Sequence, residues 1–176
     1  RLALQLGKFS RAEDEYSEAL ATAPGNAEAI FERGQARARL GRHADAVGDF
    51  DKALVLNTEL AASGAFLMRG KARFNSGDLT GAANDFAAEI IRAPSARSAR
   101  IWHIRTLSVL ADNDGAEAGA RKLLELEPRA PRAHAILGDV LLRKGDLAGG
   151  RAAHERALEL NPDYQPSLQR LQQVSR

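Results

Sequence analysis

The sequence predicts an all-α protein of stacked antiparallel helix hairpins, and three observations carry that expectation. Turn glycines form a comb, Gly7, Gly41, Gly77 and Gly145, at intervals of 34, 36 and twice 34, with Ala111 in the skipped place. Pro24, Pro94, Pro128 and Pro162 keep the same period, with Thr58 in their gap. Between glycine and proline run a small column (Ala12, Ala46, Ala82, Ala116), an aromatic one (Tyr16, Phe50, Phe86) and a closing one (Leu20, Leu54, Ile90, Leu124, Leu158).

Each element follows from this comb. The stretch from proline to glycine is the first helix of a hairpin, with apolar or small residues at three- and four-residue steps, as in Ile30, Gly34 and Ala38, followed by Leu40, or Leu137, Gly138, Leu141 and Leu142. Glycine then supplies the left-handed backbone at which that helix ends. The second helix carries the alanine column, which lets the two helices approach closely, and the rings, which fill space against the next pair. Proline ends it, or opens the next helix without needing an amide donor. One hairpin cannot bury its own face, so neighbours must stack. In chain order this gives one solenoid over residues 1–176: a truncated unit 1–26, repeats 27–60, 63–96, 97–130 and 131–164 with Ala61 and Ala62 inserted after the first of them, and a capping helix 165–176 that places Leu168, Leu171 and Val174 on one face.

Composition removes several classes of function. The absence of cysteine excludes a disulfide scaffold, a cysteine nucleophile and a thiolate metal site. With 25 basic and 23 acidic side chains the net charge is +2, so neither a nucleic-acid-saturating patch nor an acidic tail is written into the total. No run of about 18 apolar residues is present to span a bilayer. A start at Arg1, without an initiator methionine, reads as a fragment or processed form, and the short first helix leaves part of the face of Ala12, Tyr16 and Leu20 to be covered by upstream repeats or by end-to-end self-association.

The unit 97–130 departs most from the pattern. Ile104 stands in the column of Gly34, Gly70 and Gly138, Ala111 replaces the turn glycine, and Ala120 replaces the ring. A one-residue shift of its first helix would bury Ile101, Ile104 and Leu107. Local opening is expected to begin in the fourth and last units, because the fourth lacks its ring and Gly149 and Gly150 in the last cost about 1 kcal/mol each relative to alanine.

With these columns in place, the chain resembles the tetratricopeptide-repeat family. Residues 27–60, AEAIFERGQARARLGRHADAVGDFDKALVLNTEL, and 131–164, PRAHAILGDVLLRKGDLAGGRAAHERALELNPDY, match that family's spacing of a bulky residue, a glycine, a turn glycine, a small residue and a closing proline, with Thr58 departing at the last. The resemblance implies a right-handed superhelix acting as a protein-interaction scaffold, without catalysis or cofactor of its own, and a concave groove lined by the first helix of each hairpin. Carried over column by column, the groove residues are Phe31, Leu67, Ile101 and Ala135; Gln35, Lys71, Arg105 and Asp139, preceded by Arg1; and Leu4, Ala38, Phe74, Ser108 and Leu142, flanked by Arg39, Asn75 and Arg143, with Trp102 beside Ile101. An apolar strip beside basic and amide groups suits a peptide that buries two or three apolar side chains and offers a carboxylate to Lys71 and Arg105. The family's clamp for chaperone C-terminal carboxylates is disfavoured. Phe31 replaces its leading lysine, Gln35 and Met68 its asparagines, and Ser98 and Trp102 its final basic pair.

Residue chemistry gives no better enzyme reading. His134, His154, His43 and His103 all fall on buried or packing columns of the repeat, and no paired-histidine metal spacing exists. Gly64, Gly70 and Lys71 imitate a phosphate loop, but five residues separate the glycines and Ala72 stands where a hydroxyl must reach magnesium. Asp112, Asp114 and Gly115 open like a calcium loop, which Ala116 and Leu123 break. Residues 90–111 hold Arg92, Arg97, Arg100 and Arg105 with His103 and no acid, which suits a partner with acidic groups. Nucleic acid is disfavoured because Trp102 is the sole candidate for base stacking. The alternatives to a groove-binding scaffold are a non-catalytic recruitment segment of a larger enzyme and a self-assembly module.

Overall fold

The computed structural model describes residues 2–174, and side chains only from residue 6 onward and outside 61–63. The chain divides into two compact units, residues 1–99 and 100–176. Arg1 lies outside the described residues, and Leu4, Ala61 and Ala62 are described in their backbone alone. Among the described residues every regular element is helical.

The first unit holds α1 (Leu2–Thr22), α2 (Ala27–Arg39), α3 (His43–Leu56), α4 (Ala65–Ser76) and α5 (Leu79–Arg92), with a short 3-10 segment Thr58–Ser63 ahead of α4. That segment spans the two inserted alanines and tucks Leu60 into the core. Glycine at position 77 closes α4 at φ 95°, and its amide returns to the Phe74 carbonyl, as a left-handed cap requires. Asn26 starts α2 and Asp78 starts α5, each side chain accepting the amide three residues on.

The packing inside these hairpins is a pairing of no side chain with a ring. A Cβ at Gly34 would stand 3.0 Å from the Phe50 ring, and one at Gly70 would stand 2.7 Å from the Phe86 ring. Phe50 and Phe86 are fully buried, so glycine in the first helix is what admits the ring from the second.

A charged network missing from the sequence expectations holds the same hairpins. Arg33 grips Asp49 through two bonds, Nε to Oδ2 at 3.0 Å and Nη2 to Oδ1 at 2.7 Å, and Arg37 adds a third at 2.9 Å. Arg37 also reaches back to Glu13 on α1 at 3.0 Å. One hairpin later, Arg69 donates to both oxygens of Asp85, Arg73 joins at 3.0 Å, and the two arginines reach back to Asp51 on α3 at 2.7 and 3.1 Å. Each arginine pair therefore ties its own hairpin together and ties it to the preceding one. Burial works to raise the Glu13 pKa, but hydrogen bonds and charge from Arg37 and Arg42 outweigh it and hold the carboxyl below its ordinary value.

The second unit holds most of α6 (Arg97–Val109), then α7 (Asn113–Leu126), α8 (Pro131–Lys144), α9 (Leu147–Leu160) and α10 (Gln165–Val174). Pro131 opens α8 where a missing amide costs nothing, and Gly145 closes it at φ 87°. Asp112 and Asp146 cap α7 and α9.

Three sequence expectations for this unit are corrected. The first helix of the fourth repeat is not shifted: Ala99, Ile104 and Thr106 are buried, the same steps that Ala133, Gly138 and Val140 occupy in α8. Nor is the missing ring a void, because Ile104 is buried opposite Gly119 and Ala120, where a Cβ on Gly119 would stand 2.9 Å from Ile104 Cγ1. The bulk has moved from the second helix to the first. Finally, Gly149 and Gly150 are not simple weak points. A Cβ at Gly150 would lie 2.6 Å from Leu142 Cγ and 3.0 Å from the Gly138 carbonyl, and one at Gly149 would collide with the capping carboxylate of Asp146. Close approach of α8 and α9 depends on Gly150, and the α9 cap depends on Gly149.

Ala111, in contrast, does carry a cost. It is the one described residue other than glycine at positive φ, 61°, where a Cβ is penalised by roughly 1–2 kcal/mol. Ala111→Gly is expected to stabilise the chain by about 1 kcal/mol and raise Tm by about 2–4 °C, read by thermal circular dichroism. An unchanged or lower Tm would contradict strain at this turn.

Candidate functional site

In the first unit, Gln35 and Arg39 on α2 and Lys71 and Asn75 on α4 come together around one cavity of about 370 Å³. Ala38, Met68, Ala72 and the edge of Phe50 give it an apolar floor, and His43 borders it. The four polar residues lie four apart on each helix, so one turn separates the members of each pair and both point to the same side. Arg39 lies over the Phe9 ring, its guanidinium carbon 5.8 Å from the centroid, which fixes the cation at the cavity edge. Burial lowers the Lys71 pKa, and the nearby Arg39 charge lowers it further. A bound carboxylate would relieve that repulsion, whereas a cationic ligand would add to it.

The expected apolar wall is placed otherwise. Phe31 is 6% exposed and stacks at a tilt on Phe50, centroids 5.5 Å apart, so it belongs to the core. Leu67 and Phe74 are half-buried and stand outside the cavity lining, where Met68 takes the place expected of Leu67. Methionine was legible as a departure from the chaperone clamp but not as a floor, because its column follows the bulkier neighbour by one residue.

In the second unit a cavity of about 410 Å³ is lined by Ile101, Arg105 and Ser108 on α6 and by Ala135, Asp139 and Arg143 on α8. Ile104, Val109, Arg132, Ile136, Val140, Tyr164 and Pro166 complete its wall. Trp102 does not line it; its ring lies under the Arg105 guanidinium at 5.1 Å. Asp139, expected in the groove, lines this cavity and is also engaged by the cap: Arg170 Nε donates to Oδ1 at 2.7 Å. Burial works to raise its pKa, but His154 and Arg170 outweigh that and keep it low. Beside it the buried His154 shares a 3.1 Å hydrogen bond with Ser167 Oγ of α10, so histidine fills the aromatic column and fastens the cap at once.

The acid-free arginine stretch does not form a single basic patch. Arg92 pairs with Glu89 one turn back on α5, Arg100 is buried, and Arg105 rests on Trp102. Burial and the Arg100 charge lower the His103 pKa against a weaker upward pull from Asp112.

The hairpin stack and its two lined cavities define a helical-repeat protein. The chain belongs to the tetratricopeptide-repeat family: a tetratricopeptide repeat model matches residues 1–65, and a tetratricopeptide repeat-like domain model matches residues 41–174. Membership places it among protein-interaction scaffolds in general. Solved structures with the same fold include MamA (residues 41 to the end) from Desulfovibrio magneticus RS-1, 22% identical over 92% of this chain and 90% of that one, TM-score 0.81. YrrB, described as a tetratricopeptide-repeat protein with an unusual peptide-binding site, is 20% identical over 96% and 86%, TM-score 0.81. TTC0263, a thermophilic family member in Thermus thermophilus, is 20% identical over 98% and 93%, TM-score 0.64. At these identities the likeness concerns the fold. No curated protein matches the chain in sequence.

Proposed function

We propose that the chain binds an extended or helical segment of a partner protein along its first helices, with acidic groups of the segment meeting Arg39 and Lys71 in the first unit or Arg105 in the second. The observation that carries this reading is the convergence of Gln35, Arg39, Lys71 and Asn75 on one cavity with an apolar floor. Amides serve the segment's backbone, the cations its carboxylates, and the floor a side chain, which is how helical repeats hold peptides without chemistry on them. The peptide-binding site reported for YrrB supports the reading by analogy of fold. The role is recruitment rather than catalysis.

The test is a peptide array probed with the wild-type chain and with Lys71→Glu/Arg105→Glu. Charge reversal at both cavities is expected to remove most acidic spots, a loss of about tenfold or more in affinity. An unchanged spot pattern would remove the basic groups from the account.

A further inference from the structure

We propose that the cavity of the second unit reads a phosphorylated side chain within the bound segment, an inference that rests on the peptide-binding reading above. Three guanidinium groups border this cavity, those of Arg105, Arg132 and Arg143. Arg132 and Arg143 are exposed and form no ion pair or hydrogen bond among the described residues. The carboxylate in the lining, Asp139, is already held by Arg170 at 2.7 Å. Arg132 and Arg143 therefore bring to the cavity positive charge that no acid among the described residues answers.

The form of that charge favours phosphate over carboxylate. A side-chain carboxylate brings one charge and two oxygens, which a single arginine fork satisfies. A phosphomonoester brings about −1.5 to −2 charges and three acceptor oxygens, enough for two or more forks and one further donor. Tyr164 supplies that donor. Burial raises its pKa, Arg132 pulls it down and Asp139 pushes it up, with a net rise that keeps the hydroxyl protonated at neutral pH. Ile101, Ile136 and Val140 form an apolar wall for a neighbouring residue of the segment, while Trp102 lies outside the lining and the Tyr164 ring is the one aromatic within it. These features fit a phosphopeptide better than a nucleotide.

The experiment uses the full chain against three degenerate peptide libraries that differ at a fixed central position, phosphoserine, serine or glutamate, with apolar residues allowed on either side. Phenyl phosphate and vesicles containing phosphatidylinositol phosphates serve as separate probes. The phosphoserine library is expected to bind at least about tenfold more tightly than the other two. That preference should vanish in Arg132→Glu/Arg143→Glu and in the milder Arg132→Ala/Arg143→Ala, with thermal circular dichroism unchanged. Equal binding of the three libraries would overturn the phosphate reading while leaving the peptide reading intact. So would a preference that survives the arginine substitutions, or phenyl phosphate or vesicles binding as strongly as the phosphopeptides. If no library binds, both readings fail.

Discussion

Asp85→Ala is expected to destabilise the chain by about 3–5 kcal/mol, seen as a large drop in the urea midpoint. Asp85 is 3% exposed and accepts hydrogen bonds from both Arg69 and Arg73, so its removal leaves two guanidiniums in a pocket shaped for a carboxylate. Asp51 remains, but it is half-exposed and contacts only one nitrogen of each arginine. The second unit suggests the rescue. There the columns of Arg69, Arg73 and Asp85 hold Leu137, Leu141 and Ala153, with both leucines buried. Arg69→Leu/Arg73→Leu/Asp85→Ala should therefore recover most of the loss, since buried ion pairs are often no better than well-packed apolar groups of similar volume. If the triple variant is no more stable than Asp85→Ala alone, the network does more than satisfy itself.

Phe86→Ala is expected to cost about 3–5 kcal/mol by the same measurement, because the ring is fully buried and Gly70 opposite it has no side chain to fill the volume left behind. Gly70→Ala alone should also destabilise, by roughly 1–3 kcal/mol, despite alanine's better helix propensity, since its Cβ would press into the ring at 2.7 Å. The two substitutions together should fall short of the sum of their costs, the added methyl occupying space the ring has left. Strict additivity would mean that glycine and ring are not a coupled pair.

The sequence revealed those features that a single period repeats. Glycine and proline combs gave the hairpins, except at Gly7, which lies inside the continuous helix α1 and makes no turn, and the alanine and aromatic columns gave their contacts, because a φ requirement or a close approach permits few residue types. Compensation between columns was harder to read. Ile104 and Ala120 looked like two separate defects until the fold set Ile104 opposite Gly119 and Ala120, and Gly150 looked like a cost until Leu142 was found against it. The arginine network left a signal that could have been found: Arg33 and Arg37 recur as Arg69 and Arg73, and Asp49 recurs as Asp85, each 36 residues on. Charged residues at those steps read as solvent-facing until the helices are paired. For the candidate site, the polar members were legible because residues four apart share a helix face. Phe31 was not, because whether a ring turns to the groove or to the core depends on the Phe50 ring beside it.

The claim at the centre of the account is that the first helices hold the partner. Val55 and Ile91, on the second helices of the first unit, are 83% and 81% exposed and offer a rival apolar surface. Hydrogen exchange of the full chain, with and without an array-selected segment, separates the two. Slowed exchange in α2 and α4 of the first unit, or in α6 and α8 of the second, with α3 and α5 unchanged around Val55 and Ile91, is the result expected. Protection confined to α3 and α5 would contradict it.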